Sequence, residues 1–544
     1  MRKFLTLLLT AALLLTCCSG CLIDISEYVP EETADETEDT EETAQSAAEQ
    51  AGLTAVQTLL TESAADQVFS LNYDPGAGLD PFTCTDTGNL MICSLLYDTF
   101  YELDQDFTPA SRFVTQVRTE DYQWWYFTID TTQLMQDGEP VTAADVAYSL
   151  RRAQVTSFSS RLADIYGVTA YDRETLIIST YAPNSLLERD LIFPVIREGS
   201  AAEPVGAGPY RLDEGCLLPF ADHPHADSLP LEVIYLKEYD TATALIQAFE
   251  NSLVDLVVND PLGTSPLGYH APREVHYVTT TNMHYIGFNL NSTLLKNDSF
   301  RAALTYGLDR SSLVTQALES CCLASALPIH PAAAYYDSDL NASLGYDPDT
   351  LAQVLEQMGC ADYDNDGWLE LMTAGVKVSH VLYEINLDFI VCATSDAKLA
   401  AAQAIAEDLA QVGIQVTVRP LPWEDYLAAL EAGDFDLYYA EVRLTADFDV
   451  TRLLSGTAGE DGSLNYGGCQ DDTCLELIGA YLAAGDLDRA DCASAMCSYL
   501  AASAPFAVIG FEQSELLTHR GVVSGSTPTQ YNIFHRIWDW TVTQ

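Results

Sequence analysis

Acidic residues at alternate positions form the clearest metal-ligand pattern of the sequence. Asp362, Asp364 and Asp366 are followed by Gly367. A calcium-binding loop begins in this way, because it needs oxygen ligands and a sharp turn. The twelfth position of such a loop should be a bidentate glutamate, but here it is Thr373. The spacing therefore favours a metal-free acidic turn, with calcium as the alternative, and no other metal or cofactor is expected.

Motifs for enzyme chemistry are missing from the sequence. It contains no HExxH, no Gly-x-Ser-x-Gly, no Walker loop and no GxGxxG. The nine histidines are mostly scattered, and only His223 and His225 lie close together, in a proline-containing turn. An enzyme is therefore not expected, and a secreted hydrolase is kept only as an alternative.

The charge balance excludes several classes of partner. The 544 residues include 80 acidic and 24 basic residues, which gives a formal net charge of −56. A nucleic-acid binder needs Lys and Arg to contact phosphates, and adhesion to anionic lipid needs them too. Hydrophobic residues make up 48% of the chain, enough for packed cores. We therefore expect a globular protein that binds no nucleic acid.

The first residues predict an export signal and a tether. Residues 1–20 combine a positive start with an apolar run of 13 residues at 4–16, too short to span a membrane. Ser19 and Gly20 before Cys21 resemble a lipobox, so Cys21 is the predicted lipidation site, with plain secretion as the alternative. Residues 21–65 are the predicted tether, because 24–49 hold 11 acidic residues and no basic ones.

The cysteines leave two readings open. Fourteen are present, and 11 remain after removal of Cys17 and Cys18 and lipidation of Cys21. The pairs Cys469/Cys474 and Cys84/Cys93 are close enough in sequence to be bridged, yet an odd number cannot all pair within the chain. Buried free thiols are slightly preferred.

Short β-branched or aromatic runs alternate with amphipathic helical segments, which predicts an α/β fold with helices on both faces of its sheets. Strands are predicted at 124–130, 174–179, 231–236, 255–258, 285–289, 388–394, 415–419 and 435–440. Helices are predicted at 143–153, 241–251, 298–306, 311–318, 349–358, 397–412 and 423–432. A strand–helix–strand unit occurs twice, at 231–258 and 415–440, as a two-lobed binding protein would require.

A series of motifs appears in a characteristic order over some 450 residues. They are LDP at 79–81, LLYDTFYELD at 95–104, WYFTID at 125–130, DGEPVTAADVAYSL at 137–150, PVGAGPYRL at 204–212, YIGFN at 285–289, FRAALTYGLDR at 300–310, YDP at 346–348 and VGIQV at 412–416. This series resembles the family 5 extracellular solute-binding proteins of ABC importers, the oligopeptide, dipeptide and nickel receptor group.

The resemblance implies a two-lobed periplasmic-binding-protein-like (type II) α/β fold, hinged around a ligand cleft, with an extra subdomain in the first lobe. Lobe I is expected to comprise 66–105, 200–285 and 508–544, with the extra subdomain at 106–199. Lobe II is expected to comprise 286–507.

The resemblance also indicates where a ligand binds. Peptide receptors of this family hold the ligand's ammonium with one Asp after a cleft strand, and Asp447 is the best match. Arg443 stands where the family has Trp, and its guanidinium suits a carboxylate, either the ligand's or that of Glu441 or Asp447. Glu441, Asp449 and Tyr439 complete the predicted ligand-binding set.

The resemblance implies a receptor that captures short peptides by lobe closure and delivers them to an ABC permease and its ATPase subunits. It would be monomeric and lipid-anchored at the extracellular face of the bacterial cytoplasmic membrane, which is the periplasmic side if an outer membrane is present. The alternative within the same fold is another solute, such as a nickel chelate or a sugar.

Overall fold

The structure is a computed structural model, which describes residues 69–263, 268–270, 272–374, 380–460 and 462–543. The predicted signal peptide, Cys21 and the acidic tether lie outside the described residues. Within the described ranges, no helix is both long enough and apolar enough to cross a bilayer.

The described residues form 22 strands, many of them short. In chain order they are β1 Phe69–Asn72, β2 Glu102–Leu103, β3 Pro109–Ala110, β4 Val114–Thr119, β5 Trp124–Ile129, β6 Ile165–Ala170, β7 Thr175–Thr180, β8 Tyr210–Asp213, β9 Cys216–Pro219, β10 Ile234–Lys237, β11 Leu256–Asn259, β12 Arg273–Phe288, β13 Cys322–Ala324, β14 Cys360–Ala361, β15 Glu370–Ala374, β16 His380–Glu384, β17 Asn386–Cys392, β18 Gln415–Leu421, β19 Leu437–Arg443, β20 Phe506–His519, β21 Val523–Ser524 and β22 Thr541–Val542.

Helices connect most of these strands. They are α1 Thr87–Leu96, α2 Ala143–Ala153, α3 Ala242–Glu250, α4 Asp298–Thr305, α5 Arg310–Ser312, α6 Ser338–Ser343, α7 Pro348–Gln357, α8 Asp396–Ala410, α9 Trp423–Ala432, α10 Thr451–Leu454, α11 Asp472–Ala483 and α12 Arg489–Ser503. Short 3-10 turns occur at Leu187–Arg189, Ala226–Ser228 and Ile537–Asp539, and a π-helical turn at Leu313–Ala317 follows α5.

The largest sheet carries the order β11–β20–β12–β19–β17–β18, with β13 beside β20. In it, β17 runs parallel to both β18 and β19, and β12 runs antiparallel to β19 and β20. Two four-stranded sheets, β1–β10–β9–β8 and β4–β5–β7–β6, precede it in the chain. The fold is therefore mixed α/β.

Two long strands connect the hydrophobic cores. Val278 of β12 belongs to a core built mostly from residues before 235, whereas Met283 and Ile286 of the same strand belong to two other cores. The register of β12 against β20 shifts between Thr279 and Met283. The chain thus has separate cores joined by continuous strands, although the lobe limits given above stay a prediction.

Local sequence signals place several elements correctly. α2 and α9 match their predicted limits, and α2 begins with a capping box: Thr142 Oγ1 accepts from the Asp145 amide and Asp145 Oδ2 from the Thr142 amide. The repeated unit is only partly confirmed. β18 and β19 share one sheet, but β10 and β11 lie in different sheets. The first unit therefore bridges two sheets.

Gly206 and Gly208 serve close packing. A Cβ on Gly208 would lie 2.4 Å from the Leu95 carbonyl oxygen, and one on Gly206 would lie 2.2 Å from that of Leu96. The Gly208 amide also donates to the Leu96 carbonyl at 3.0 Å. The glycines are required because this segment lies directly on the end of α1.

We expect Gly208→Ala to destabilise the protein by about 1–3 kcal/mol or more, because the new methyl group meets backbone atoms that cannot rotate away. Gly479→Ala is the matched control, since a Cβ there meets no atom within 4 Å and Ala favours the helix α11. Chemical denaturation should show loss of stability for the first variant and none for the second. Equal stability of both variants would contradict the packing argument.

Candidate functional site

A large cleft lies between residues 157–190 on one side and 442–482 on the other. It encloses ≈ 1760 Å³, part of it open to solvent, and Tyr531 closes one end. Three of the predicted site residues, Arg443, Asp447 and Asp449, line this cleft. Tyr439 and Glu441 do not, since they line a second cavity nearby.

Asp447 is buried, with 3% of its surface exposed, at the end of the segment that follows β19. Its Oδ2 accepts from Asn184 Nδ2 at 3.1 Å, and its Oδ1 accepts from the Asp449 amide at 3.1 Å and from the Thr445 hydroxyl. Neutral donors therefore orient the carboxylate without neutralising it. A buried carboxylate held in this way suits a ligand cation.

Three further aspartates surround Asp447. Asp190 is buried, and burial followed by repulsion from Asp447 raises its pKa well above the usual range. The same two causes raise the pKa of Asp164 and of Asp449 to about 6 each. Sequence analysis missed Asp164 and Asp190, because they lie more than 250 residues from Asp447 and no local pattern marks them.

Arg443 donates Nε–H to Asn282 Oδ1 at 3.0 Å across the β12–β19 ladder, and its side chain faces the cleft. The suggested pairing with Glu441 is wrong, because Glu441 accepts instead from Lys398 Nζ at 2.7 Å. Asp447 takes neutral donors, as described above. The rest of the Arg443 guanidinium can therefore turn toward a ligand carboxylate.

The second cavity encloses ≈ 1020 Å³ and continues along β19. Tyr285, Tyr438 and Trp423 form its aromatic wall, and Glu441 with Lys398 form its polar wall. Leu464 lines both this cavity and the cleft. The two cavities therefore lie next to each other along β19. Together their walls contain all five predicted site residues.

A buried polar group lies at the floor of this second cavity. His284 Nδ1 is 3.0 Å from the Tyr439 hydroxyl and its Nε2 is 3.3 Å from Glu512 Oε2. His284, Glu441 and Glu512 offer ligand atoms within 4.8 Å of one another. The Lys398 ammonium already forms an ion pair with Glu441. Burial lowers the pKa of His284 to about 4, so its imidazole is neutral and hydrogen-bonds within this group. We therefore assign it a structural role.

The buried acids predict that stability falls as pH rises. Burial, followed by repulsion from neighbouring acids, raises the pKa of Glu512 to about 7 and that of Asp260 to about 8. The unfolded chain loses these protons near pH 4. Between about pH 4 and 8 these two acids therefore lower the stability as pH rises. Buried histidines such as His284 and His330, whose pKa burial lowers to about 4, oppose them below about pH 6.5, so we expect the decline between about pH 6.5 and 8.

Melting temperatures measured across this pH range test the point. Glu512→Gln should flatten part of the decline, whereas Asp222→Asn, at an exposed position, should leave it unchanged. A wild-type melting temperature that rises steadily from about pH 6.5 to 8 would contradict the assignment.

The aspartates of the calcium-like pattern stabilise the turn that contains them, because they accept hydrogen bonds from its backbone amides. Asp362 Oδ2 accepts from the Gly367 amide at 3.0 Å, and Asp366 Oδ1 from the Trp368 amide at 2.9 Å. Glu370 joins them and accepts from the Tyr363 amide at 2.8 Å. The acids thus have a structural explanation, while calcium binding stays an untested alternative.

The described cysteines are free thiols, including Cys84, Cys93, Cys469 and Cys474. A hydrogen bond from Cys474 lowers the pKa of Cys469 to about 7. These two thiols are therefore neighbours, as their spacing suggested.

Residues 113–458 match the family model described as bacterial extracellular solute-binding proteins, family 5. The chain belongs to this family.

Curated family 5 relatives are distant from this chain. The oligopeptide-binding protein AppA of Bacillus subtilis is 24% identical over 252 residues, which span 44% of each chain. A probable peptide ABC transporter periplasmic-binding protein of Sinorhizobium fredii is 30% identical over 197 residues, or 32% of this chain and 36% of the relative. The chain therefore aligns with less than half of either relative's length.

Solved structures share the fold over nearly their whole length. The periplasmic murein tripeptide-binding protein MppA, in its unliganded open form, has a TM-score of 0.68 at 16% identity, with 88% of this chain and 98% of the other covered. AppA of Bacillus subtilis with a nonapeptide has a TM-score of 0.57 at 15% identity, with 88% and 99% covered. The predicted two-lobed type II fold is thus confirmed.

Proposed function

We propose that the protein is the extracellular receptor of an ABC importer and captures short peptides in the cleft around Asp447. The observation that carries this proposal is a buried carboxylate, oriented only by neutral donors, at the wall of a cleft of ≈ 1760 Å³. A peptide's α-ammonium supplies the missing positive charge.

The backbone beside the cleft supports a peptide ligand. β17 pairs with β19 only at Leu437 and Tyr438. Among the described residues, the same edge of Tyr439–Arg443 has no strand partner. An extended peptide could add to this edge through main-chain hydrogen bonds, which give affinity without demanding a particular sequence.

Contacts across the cleft support capture by closure. The Ser185 hydroxyl donates to the carbonyls of Leu482 at 2.8 Å and Ala484 at 2.6 Å. Arg489 Nη1 donates back to the Ser185 hydroxyl at 3.2 Å. These bonds join the two sides of the cleft, and reversible capture requires that such bonds form and break.

The remaining parts of the proposal follow from the family. The closed receptor would dock on a permease whose ATPase subunits are separate chains, and it would act as a monomer without catalysing a reaction. Family membership supports an extracellular or periplasmic location. Anchoring through a lipid on Cys21 belongs to the proposal as well.

Thermal denaturation against a ligand panel tests this function. Di- to octapeptides should raise the melting temperature as their concentration passes the Kd, since they bind only the native state. Free amino acids, Ni²⁺ and oligosaccharides are the comparison ligands, and N-acetylated peptides are the matched control. A rise with one of these comparison classes and none with peptides would keep the receptor fold and refute the peptide assignment.

A further inference from the structure

Asp190 is a buried carboxylate whose position calls for an explanation. Only 4% of its surface is exposed, and it lines the same cleft as Asp447. When it is ionised, its Oδ1 has no donor among the described residues, whereas its protonated form shares a hydrogen bond with Asp447. An unpartnered buried acceptor costs free energy. A ligand that supplies a donor at this point would remove that cost.

One amide links this acid to Asp447. Asn184 Nδ2 lies 3.1 Å from Asp447 Oδ2 and 3.4 Å from Asp190 Oδ2. The two carboxyl groups come from opposite walls of the cleft, and Asn184 bridges them.

We propose that Asp190 and Asp447 form a two-carboxylate clamp for the ligand's ammonium group, and that binding of the ammonium expels a proton which the empty pair shares. This proposal rests on the proposed function and names a second specificity residue for it. The proton passes from the pair to the solvent, and the ammonium takes its place between two ionised carboxylates.

The charges around the pair favour a shared proton when the cleft is empty. Asp449 adds negative charge at Asp190 and Asp164 is repelled by Asp447, while the charge of Arg161 opposes this effect at Asp190. The Arg161 guanidinium donates to the Ile192 carbonyl at 2.6 Å and lies 4.6 Å from the centroid of the Tyr531 ring, while Arg443 faces Asn282. Burial and Asp447 together raise the pKa of Asp190, and the Asn184 amide holds the two carboxyl groups together, which favours a proton on the pair in the empty cleft.

The sign of the pH dependence follows from this exchange. A cation that must expel a proton binds more tightly as pH rises, until the empty pair is already ionised. The ligand's α-amino group loses its proton near pH 8, so the useful window ends at about pH 7.5. Within it, the affinity of the wild-type protein should increase with pH.

The test is calorimetric titration of the full chain with an unblocked peptide that has no ionisable side chain, at pH 5.5, 6.5 and 7.5. Repetition in two buffers of different ionisation enthalpy counts the released protons. We expect release of up to one proton at low pH, and tenfold or greater tightening by pH 7.5. Asp190→Asn should abolish both effects, so that it binds about 10- to 100-fold more weakly than wild type at pH 7.5 and similarly at pH 5.5.

Asp222→Asn, the exposed control, should keep the wild-type behaviour. The melting temperature of Asp190→Asn should equal or exceed that of wild type, because a buried repulsion is removed. Tight binding to wild type without proton release, unchanged in Asp190→Asn, would overturn the clamp and leave the peptide receptor intact. Failure of all unblocked peptides to bind wild type would overturn both.

Discussion

We expect Asp447→Asn to weaken peptide binding roughly 30- to 5,000-fold, which corresponds to about 2–5 kcal/mol. Asp447 is buried and held by Asn184 Nδ2, the Thr445 hydroxyl and the Asp449 amide. The substitution keeps the size of the side chain but removes the charge that the ammonium needs. Calorimetric titration with an unblocked peptide measures the effect.

The same substitution should not unfold the empty protein. Repulsion between Asp447 and Asp190 disappears, so the melting temperature should stay level or rise. Asp449→Asn is the matched control within the cleft, because the Asp449 carboxylate bonds chiefly to Thr451, and its effect on affinity should be much smaller. An Asp447→Asn affinity within threefold of wild type would contradict the assignment of the site.

The largest loss of stability should come from Arg301→Met. Arg301 is 3% exposed and donates to the carbonyls of Ala504 at 2.8 Å, Leu295 at 2.6 Å and Ser503. Two of these carbonyls end α12, where helical partners are missing. Methionine fills the space but donates nothing, so the carbonyls lose their partner at about 1–3 kcal/mol each.

We therefore expect Arg301→Met to cost at least about 3 kcal/mol of unfolding free energy, measured by chemical denaturation. Arg211→Met is the control, since its pair with Asp213 is 3.7 Å apart and both side chains are exposed, so it should cost at most about 1 kcal/mol. Equal losses in the two variants would show that the buried carbonyls do not depend on Arg301.

Elements with complete local signals were predictable from the sequence. α2 has a capping box and an apolar face, and α9 ends at Gly433, whose φ of 66° suits glycine. β12 was underestimated: only its last residues were predicted, because the polar run Thr279–Asn282 interrupts the hydrophobic pattern. That run lies where the strand passes between cores, so the hydrophobic pattern is lost there even though Thr favours strands.

The candidate site was predictable only on one side. Asp447 and Arg443 follow a recognisable strand, so their positions in the family's motif could be compared. Asn184 and Asp190 follow β7, and the packing of the β4–β5–β7–β6 sheet brings them to the cleft. The pairing of Lys398 with Glu441 depends in turn on how β17 lies beside β19. Contacts between distant segments depend on topology, which periodicity does not encode.

The most direct test of the account is a calorimetric titration of the protein with one unblocked short peptide and with its N-acetylated twin. The account predicts saturable binding of the first at one site and little or none of the second, since acetylation removes the charge that Asp447 holds. Equal binding of both peptides would contradict recognition of the ammonium in the cleft.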